Sequence, residues 1–413
     1  MGIIALLLPL FTGSVARAED LNRLVLELLE RNPAVIAARR MVDAKRAIVS
    51  SARTLPDPSI SFETMGDLIP PVLQGGDPSS ARVLRVTQEV PFPGKLGLQG
   101  QIASAEADVA MWKYEEVRRQ LVAELKTAYY DLYLAQKLAD VVEKSKELLL
   151  QFSEISQARY KVGQAAQQDV LKAQVEVSRL LDRLQVLQRE KDTARSRINT
   201  LLYRAPDTPI DRLPEIGKPR FAWTLEQLYE KALAGNPEVR MSRKEIDRSE
   251  LSVALAKKSF YPDLEVGFSY YNRADMPEMY GLMFKAKIPL YFWRKQRPEL
   301  EASTADLLGQ RRQYDNTLST LYFRLKDSFL KTKTDATLLE LYGGAIIPQA
   351  TLALESSISS YRVGSVDFLS LLSNQATVLE YEMKYYEALV DYCKALVALE
   401  SLTGEEVQAT VSP

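Results

Sequence analysis

The residues that most often carry enzyme or metal chemistry are scarce in this chain of 413 residues. It has no histidine and a single cysteine, Cys393, so it lacks the commonest general base and cannot form an internal disulfide. Cys393 lies in a helical run, where we expect a buried hydrophobic role rather than a reactive thiol. The sequence also has no glycine-rich phosphate loop and no acidic pair that stands out from its many helix charges. We therefore expect no enzyme activity and no cofactor.

One group of soft metal ligands is present. Met276, Met279 and Met283 lie close together in the sequence, and thioether sulfurs can bind Cu(I). They span a loop and the start of a strand, with no histidine or cysteine beside them. We interpret them as apolar contacts and predict no metal site.

The charge balance and the first residues of the chain indicate where the protein works. Lys plus Arg number 53 and Asp plus Glu number 54, so no basic field favours nucleic acid as a partner. An apolar segment from Ile3 to Phe11 is followed by Ala16-Arg17-Ala18, which predicts a signal peptide over 1–18 and export. No later apolar run is long enough for a helical membrane span. If this chain crosses a membrane, strands must do it.

Three blocks of sequence occur twice in the same order. The segment YKVGQAAQQDVLKAQ at Tyr160 is matched by YRVGSVDFLSLLSNQ at Tyr361. The helical block that starts at Leu21 is matched at Leu225, and Pro56-Asp57 with Phe62 is matched by Pro262-Asp263 with Phe268. Matched blocks in a constant order predict two copies of one structural unit.

We divide the chain accordingly. After the signal peptide we expect a first repeat over 19–204, a proline-rich linker over 205–223, a second repeat over 224–404 and a C-terminal tail over 405–413. Each repeat should contain a helix of moderate length, two strands and a long helical hairpin. The expected strands are about 58–66, 82–90, 263–272 and 280–290, and the hairpin tips lie near 160–170 and 361–371.

The strand segments have the length and alternation of membrane strands. Apolar residues alternate through DLEVGFSYY and YGLMFKAKIPL, a period of two that predicts strands with one apolar face. About ten residues suit a tilted transmembrane strand. Four strands cannot close a barrel and lipid tolerates no open edge, so membrane strands would require several chains, and three chains would supply twelve strands. The alternative is a small soluble hairpin packed beside a coiled coil.

The rest of each repeat is long helix. No proline occurs from Gly94 to Ala205, and apolar residues recur every three or four positions, as in packed coiled-coil-like helices. Gly163 and Gly364 interrupt this pattern at the paired tips. We expect each glycine to supply the positive φ at which one long helix turns into the next.

This layout resembles the TolC-like outer-membrane efflux proteins. The resemblance rests on the repeated Tyr-x-Val-Gly tip, the Asn-Pro near the start of each repeat and the helix, strand, strand, long hairpin order, and it covers nearly all of the expected mature chain. It implies a mainly α chain with a membrane β-barrel portion, in which a homotrimer forms a twelve-stranded barrel in outer-membrane lipid and an α-helical barrel across the periplasm. It further implies a passive exit duct that serves an inner-membrane pump through a periplasmic adaptor.

The resemblance also implies roles for residues at the tips. Counted from the tip glycines, Asp169 and Tyr361 lie at the positions of gate residues in the family, so they are candidates for the gate that closes the pore. The basic residue of some relatives is replaced by Val366, and two of their acidic positions are Ser370 and Ser373, so Arg362 or Asp367 would have to substitute. The implied adaptor-docking turns are Val162, Gly163, Val363 and Gly364. Asp169 is equally well interpreted as a helix N-terminal acid, and Tyr160 and Tyr361 as packing beneath the hairpins.

Two other functions stay open at the level of sequence. A periplasmic adaptor also pairs a long hairpin with β-structure, although it would have one hairpin between larger β-modules. A soluble coiled-coil scaffold would need no detergent for extraction. The motif PFPGKLG after the second strand resembles the corresponding segment of family members associated with metal-efflux pumps, but it does not identify the transported substrate.

Charge reversal at the first tip tests the gate. If Asp169 helps to close the constriction, Asp169→Lys should raise single-channel conductance in planar bilayers, because the added positive charge would break the network that holds the tip shut. Conductance equal to that of the unmodified protein would exclude Asp169 from the gate.

Overall fold

The computed structural model describes residues 21–65, 80–273 and 276–405. The expected signal peptide and most of the C-terminal tail lie outside these residues. The elements are α1 (Leu21–Arg31), α2 (Pro33–Ser51), β1 (Ser59–Met65), β2 (Ala81–Val90), α3 (Lys95–Lys161), α4 (Gln167–Leu201), α5 (Leu225–Gly235), α6 (Pro237–Lys258), β3 (Asp263–Asn272), β4 (Met279–Lys287), α7 (Gln296–Leu341), a π-helical segment (Tyr342–Ile346), α8 (Ile347–Arg362) and α9 (Phe368–Thr403). The expected mainly α class with four strands is confirmed over the described range.

The chain forms two compact units. The helical unit contains residues up to Val35, Arg118–Gly235 and residues from Phe323 onward. The sheet unit contains Ile36–Val117 and Asn236–Tyr322. In the described ranges no helix is both long and apolar enough to cross a membrane.

An asparagine starts the second helix of each copy. The Asn32 side-chain oxygen accepts the N–H groups of Ala34 and Val35 at 2.9 and 3.4 Å, and the Asn236 oxygen accepts the N–H of Val239 at 3.2 Å. These are N-cap bonds to otherwise unpaired helix donors, and the proline that follows is favourable at the first helical position. The Asn-Pro pair therefore ends one short helix and begins the next.

Several boundaries differ slightly from those expected. β4 begins at Met279 and ends at Lys287, short of the expected 290, because Pro289 has no N–H with which to continue the ladder. β1 covers Ser59–Met65 rather than 58–66, and residue 66 lies outside the described range. α3 extends to Lys161, so the first long helix reaches directly to its tip.

The four strands form one antiparallel sheet in the order β1-β2-β3-β4. The two hairpins have matching registers, since Phe62 pairs with Leu84 and Phe268 pairs with Leu282. Between the hairpins, Val86 lies opposite Phe268. The inner strands β2 and β3 are paired on both sides, whereas β1 and β4 each keep one open edge.

One face of this sheet is apolar and exposed in the single chain. Register places its large side chains in rows across the strands, and the exposed members are Ile60, Phe62, Leu84, Val86, Leu264, Val266, Phe268, Tyr280, Leu282 and Phe284. A contiguous apolar patch of this kind marks a surface that another molecule or a membrane covers.

The opposite face carries ion pairs, together with a few apolar residues such as Val83. Arg85 donates from Nε to the Ser269 hydroxyl at 3.1 Å and lies 3.9 Å from a Glu63 carboxylate oxygen. Lys285 donates to Glu265 at 3.0 Å. Apolar residues on one face and ion pairs on the other are the pattern of a strand with lipid on one side and water on the other.

Candidate functional site: the hairpin tips

Both hairpins turn through the same backbone motif. At the first tip the N–H groups of Gly163 and Gln164 donate to the carbonyls of Tyr160 and Arg159 at 3.0 and 2.8 Å, and at the second tip Gly364 and Ser365 bond in the same pattern at 3.1 and 3.0 Å. Gly163 has φ +74° and Gly364 has φ +79°. These paired bonds define the Schellman motif, in which a left-handed residue follows the helix and is usually glycine.

The two tips differ in how the next helix begins. α9 is capped by Asp367, whose carboxylate accepts the N–H of Ser370 at 3.0 Å. At the first tip the capping position is Ala166, which makes no side-chain cap, and the carboxylate instead belongs to Asp169 in the first turn. A negative charge in the first turn of a helix is favourable next to the N-terminal end of the helix dipole. Each tip thus places one acid at a helix start, in different positions.

The environment of Asp367 keeps its carboxylate charged. Donation by the Ser370 hydroxyl and N–H holds the pKa of the Asp367 carboxyl below its ordinary value, and the positive charge of Lys172 on α4 lowers this pKa further. Lys172 belongs to the first hairpin and Asp367 to the second. The two tips therefore interact electrostatically within one chain.

Tyr361 is buried beneath the second tip, with 4% of its surface exposed. Its hydroxyl lies 3.1 Å from the Ser156 hydroxyl of α3, and its ring centroid is 5.5 Å from that of Phe368. Its counterpart Tyr160 is 44% exposed. The two equivalent tyrosines therefore differ in burial. Of the two, only Tyr361 packs beneath its hairpin.

Arg159 of α3 holds the two tips together. Its guanidinium carbon lies 4.9 Å from the centroid of the Tyr361 ring, and its Nη1 donates to the Tyr361 backbone carbonyl. A Cβ at Gly364 would come within 3.1 Å of its Nη2. The Arg159 Nε is buried without a hydrogen-bond partner among the described residues. A cation at the carbonyl end of α8 is favoured by the helix dipole, and its stacking on tyrosine adds a cation–π attraction.

The other nominated residues lie on the surface of the tips. Val162 is 68% exposed and Val363 is 80% exposed, so each turn presents an apolar side chain to its surroundings. Arg362 is exposed, and its side chain makes no hydrogen bond or ion pair in the part of the chain that the structure describes. Asp367 is committed to its cap. Arg159 is not one of the residues nominated from the sequence, yet its guanidinium contacts the gate candidate Tyr361.

An apolar core supports the tips from below. Side chains of α3, α4, α8 and α9 form one buried cluster of Leu138, Val142, Leu149, Phe152, Ala173, Leu180, Leu187, Leu354, Tyr361, Phe368, Leu371 and Leu372. Within the same region Gln375 donates to the Ser145 hydroxyl, and both residues are buried. The tips are thus the exposed ends of a packed four-helix assembly.

The sulfur-containing residues do not form a site together. Arg273 lies against two methionine sulfurs, at 2.6 Å from Met276 and 3.5 Å from Met279, and a cation beside a thioether disfavours a second cation there. Met283 instead packs where a Cβ at Gly267 would meet it at 3.0 Å. Burial raises the pKa of the Cys393 thiol to about 12, as expected of a structural cysteine. Over the described ranges no group of three or more His, Cys, Asp or Glu residues is placed to hold a metal.

Comparison with known proteins supplies a family. A profile of the outer membrane efflux protein family matches residues 24–202 and 228–405. The cobalt-zinc-cadmium resistance protein CzcC of Cupriavidus metallidurans is 19% identical over 376 residues, which are 89% of this chain and 86% of CzcC.

Solved structures share the fold. The outer-membrane channel OprN matches with a TM-score of 0.79 at 21% identity, over 93% of this chain and 89% of its own. The outer membrane protein VceC of Vibrio cholerae matches with a TM-score of 0.78 at 17% identity, over 94% of this chain and 97% of its own. At these identities the likeness concerns the fold alone.

The turn glycines yield a stability prediction. Gly163→Ala and Gly364→Ala should each lower the melting temperature measured by circular dichroism in detergent, because a Cβ in the left-handed region costs roughly 1–2 kcal/mol. Gly364→Ala should be the worse of the two, since its Cβ also meets Arg159. Gly309→Ala is the matched control. Gly309 lies within α7 with nothing within 4 Å of the added Cβ, so its replacement should stabilise by up to about 1 kcal/mol. Equal losses at all three positions would contradict the turn geometry.

The Asp367 cap should depend on pH. Because the pKa of Asp367 is lowered in the folded chain, its stabilisation is present above the unfolded value of about 3.9 and is lost as pH falls through the folded pKa. Hydrogen exchange over the first turn of α9, corrected for intrinsic rates, should show protection at about pH 6 that declines at about pH 3. Asp367→Asn keeps a capping side chain without the titration, so its protection should be independent of pH. A parallel decline in the variant would assign the effect to another group.

Proposed function

The chain belongs to the outer membrane efflux protein family, and from this membership we propose that it is the passive exit duct of a tripartite export system. In this proposal the sheet lies in the outer membrane and the helical hairpins extend into the periplasm. An inner-membrane pump supplies the energy, and a periplasmic adaptor joins the pump to the hairpin tips. Conduction requires no catalytic group, so we propose no enzyme activity.

The observation that carries the proposal is the sheet with one exposed apolar face and a second face that carries ion pairs. Large side chains such as Phe62, Leu282 and Phe284 are exposed in the single chain, whereas the other face carries the ion pairs of Arg85 and Lys285. Lipid against the first face and water against the second satisfies both. The alternative soluble hairpin would leave the apolar face in water at a cost of roughly 25 cal/mol per Å².

The same sheet supports a homotrimer. Four strands leave two open edges, and a membrane tolerates none because no water is present to hydrogen-bond the free N–H and carbonyl groups. Three copies would supply the twelve strands of a closed barrel. Family membership also favours the duct over the adaptor and scaffold alternatives that the sequence left open.

The tips are the proposed gate and docking surface. The exposed side chains of Val162 and Val363 are suited to apolar contact with an adaptor. We propose that the contact of Arg159 with Tyr361 holds the closed state. It would replace the basic residue that some relatives carry at the position of Val366. Asp169 and Arg362 are charged groups of the same tips, and we propose that they take part in closure between copies.

Single-channel recording tests the duct. Detergent-purified protein should be a trimer by mass and should give a small, mostly closed conductance in planar bilayers. A monomer that needs no detergent and conducts no ions would refute the proposal.

A variant of Arg159 tests the gate. Arg159→Met keeps an unbranched stem but removes the guanidinium group, so the bond to the Tyr361 carbonyl is lost. Loss of about 1.5 kcal/mol from the closed state corresponds to a roughly tenfold larger open population. Arg179→Met is the matched control, because within the described ranges Arg179 pairs only with Glu176 of its own helix, and its side chain is exposed. If the open probability is the same in both variants, the Arg159–Tyr361 contact does not hold the channel closed.

A further inference from the structure

The open edges of β1 and β4 define a surface whose partner can be identified. In the described sheet each outer strand keeps one row of unpaired N–H and carbonyl groups. In the proposed membrane setting these groups need a protein partner. The sheet alternates apolar and polar faces along every strand, so the added strand must carry the same alternation. A second copy of this chain meets this condition, because its own outer strands carry the same alternation.

The internal repeat establishes which residues of the two hairpins are equivalent. Phe62 of β1 and Phe268 of β3 occupy matching positions after the Pro-Asp pairs. Phe62 pairs with Leu84, and Phe268 pairs with Leu282. Leu84 is therefore equivalent to Leu282, and two residues further along Val86 is equivalent to Phe284.

The contact between the two hairpins then predicts the contact between two copies. Within the chain, Val86 of β2 lies opposite Phe268 of β3. A closed barrel with uniform strand tilt needs the same stagger at each equivalent seam. Replacing each residue by its equivalent puts Phe284 of one copy opposite Phe62 of the next. Because the strands are antiparallel, Lys285 then lies opposite Ser61.

The side chains agree with this register. Phe284 and Phe62 are 78% and 65% exposed, and as a directly opposed aromatic pair on the apolar face they would stabilise each other. On the polar face, Glu63 of the next copy is diagonal to Lys285, within reach of a long side chain. A slip of one residue would turn the apolar face of one copy toward the polar face of the other. A slip of two would separate the aromatic pair.

We propose that β4 of one copy pairs with β1 of the next in this single register, with Phe284 opposite Phe62 and Lys285 opposite Ser61. The inference rests on the proposed function, since it requires copies that share a barrel. It goes beyond that function by naming the residues that join the copies.

Cysteine crosslinking tests the register. Lys285→Cys combined with Ser61→Cys should form covalent oligomers under mild oxidation on non-reducing gels, since directly opposed residues are about 4.5–5.5 Å apart, within the disulfide range. Within one chain the two positions are three strands apart, roughly 14 Å, so a crosslink must join copies. Native Cys393 is buried with a pKa of about 12 and can remain as it is.

Two matched controls test slippage. Lys285→Cys with Ser59→Cys, or with Glu63→Cys, tests shifts of two residues in either direction, where the distance of about 7–8 Å is too long for a disulfide. We expect about tenfold less crosslinking in both than in the Ser61 pair. Ala286→Cys with Ile60→Cys tests the same register on the apolar face if the Lys285 variants fold poorly.

The outcomes separate this inference from the proposed function. Faster crosslinking at Ser59 or Glu63 would overturn the register. A conducting trimer that crosslinks at none of these positions would overturn the seam and leave the duct intact. A monomer that does not conduct would contradict both the pairing between copies and the proposed function.

Discussion

Pairing of backbone groups at strand edges is the constraint on which the proposed assembly depends. In water an open edge can bind solvent, but in lipid each free N–H or carbonyl must bind protein. The sheet satisfies β2 and β3 internally and leaves β1 and β4 open, so one chain is an incomplete part of a barrel. The internal repeat makes completion simple. Each copy already contains one complete junction between hairpins, and the junction between copies repeats its geometry.

The same repeat works differently in the helical unit, where related segments have different surroundings. Both turns use a glycine at positive φ and the same pair of backbone bonds. Asp367 caps α9, whereas Ala166 occupies that position before α4 and Asp169 lies in the first helical turn. Tyr361 is buried while Tyr160 is largely exposed. The two tips therefore share the backbone turn but differ in how their side chains pack.

Arg159 shows how this asymmetry produces a latch. It belongs to the first hairpin but contacts the ring and carbonyl of Tyr361 in the second. Its position in the second repeat is taken by Ser360, so the interaction exists once per chain. Arg159 is part-buried, and its buried Nε has no hydrogen-bond partner among the described residues, which is a cost in free energy. The unpaired Nε weakens the Arg159–Tyr361 contact, which suits a contact that must break when the channel opens.

The family resemblance, the mainly α class with four strands and the glycine turns could all be predicted from the sequence. Period-two and heptad-like patterns are local, and positive φ at Gly163 and Gly364 follows from the steric limits of other residues. The efflux family is confirmed by the profile match. Roles for Asp169, Tyr361, Arg362 and Asp367 stay predictions.

The contacts between distant side chains could not be predicted from the sequence, because they depend on how the helices pack. Asp367 is a cap because Ser370 lies one turn away with a free N–H. Arg159 reaches Tyr361 because four helices converge below the tips, across a separation of 202 residues. No local pattern encodes that distance. The end of β4 before Pro289 and the opposition of Val86 and Phe268 likewise depend on pairing between segments, since hydrogen-bond register is a property of two strands and not of one.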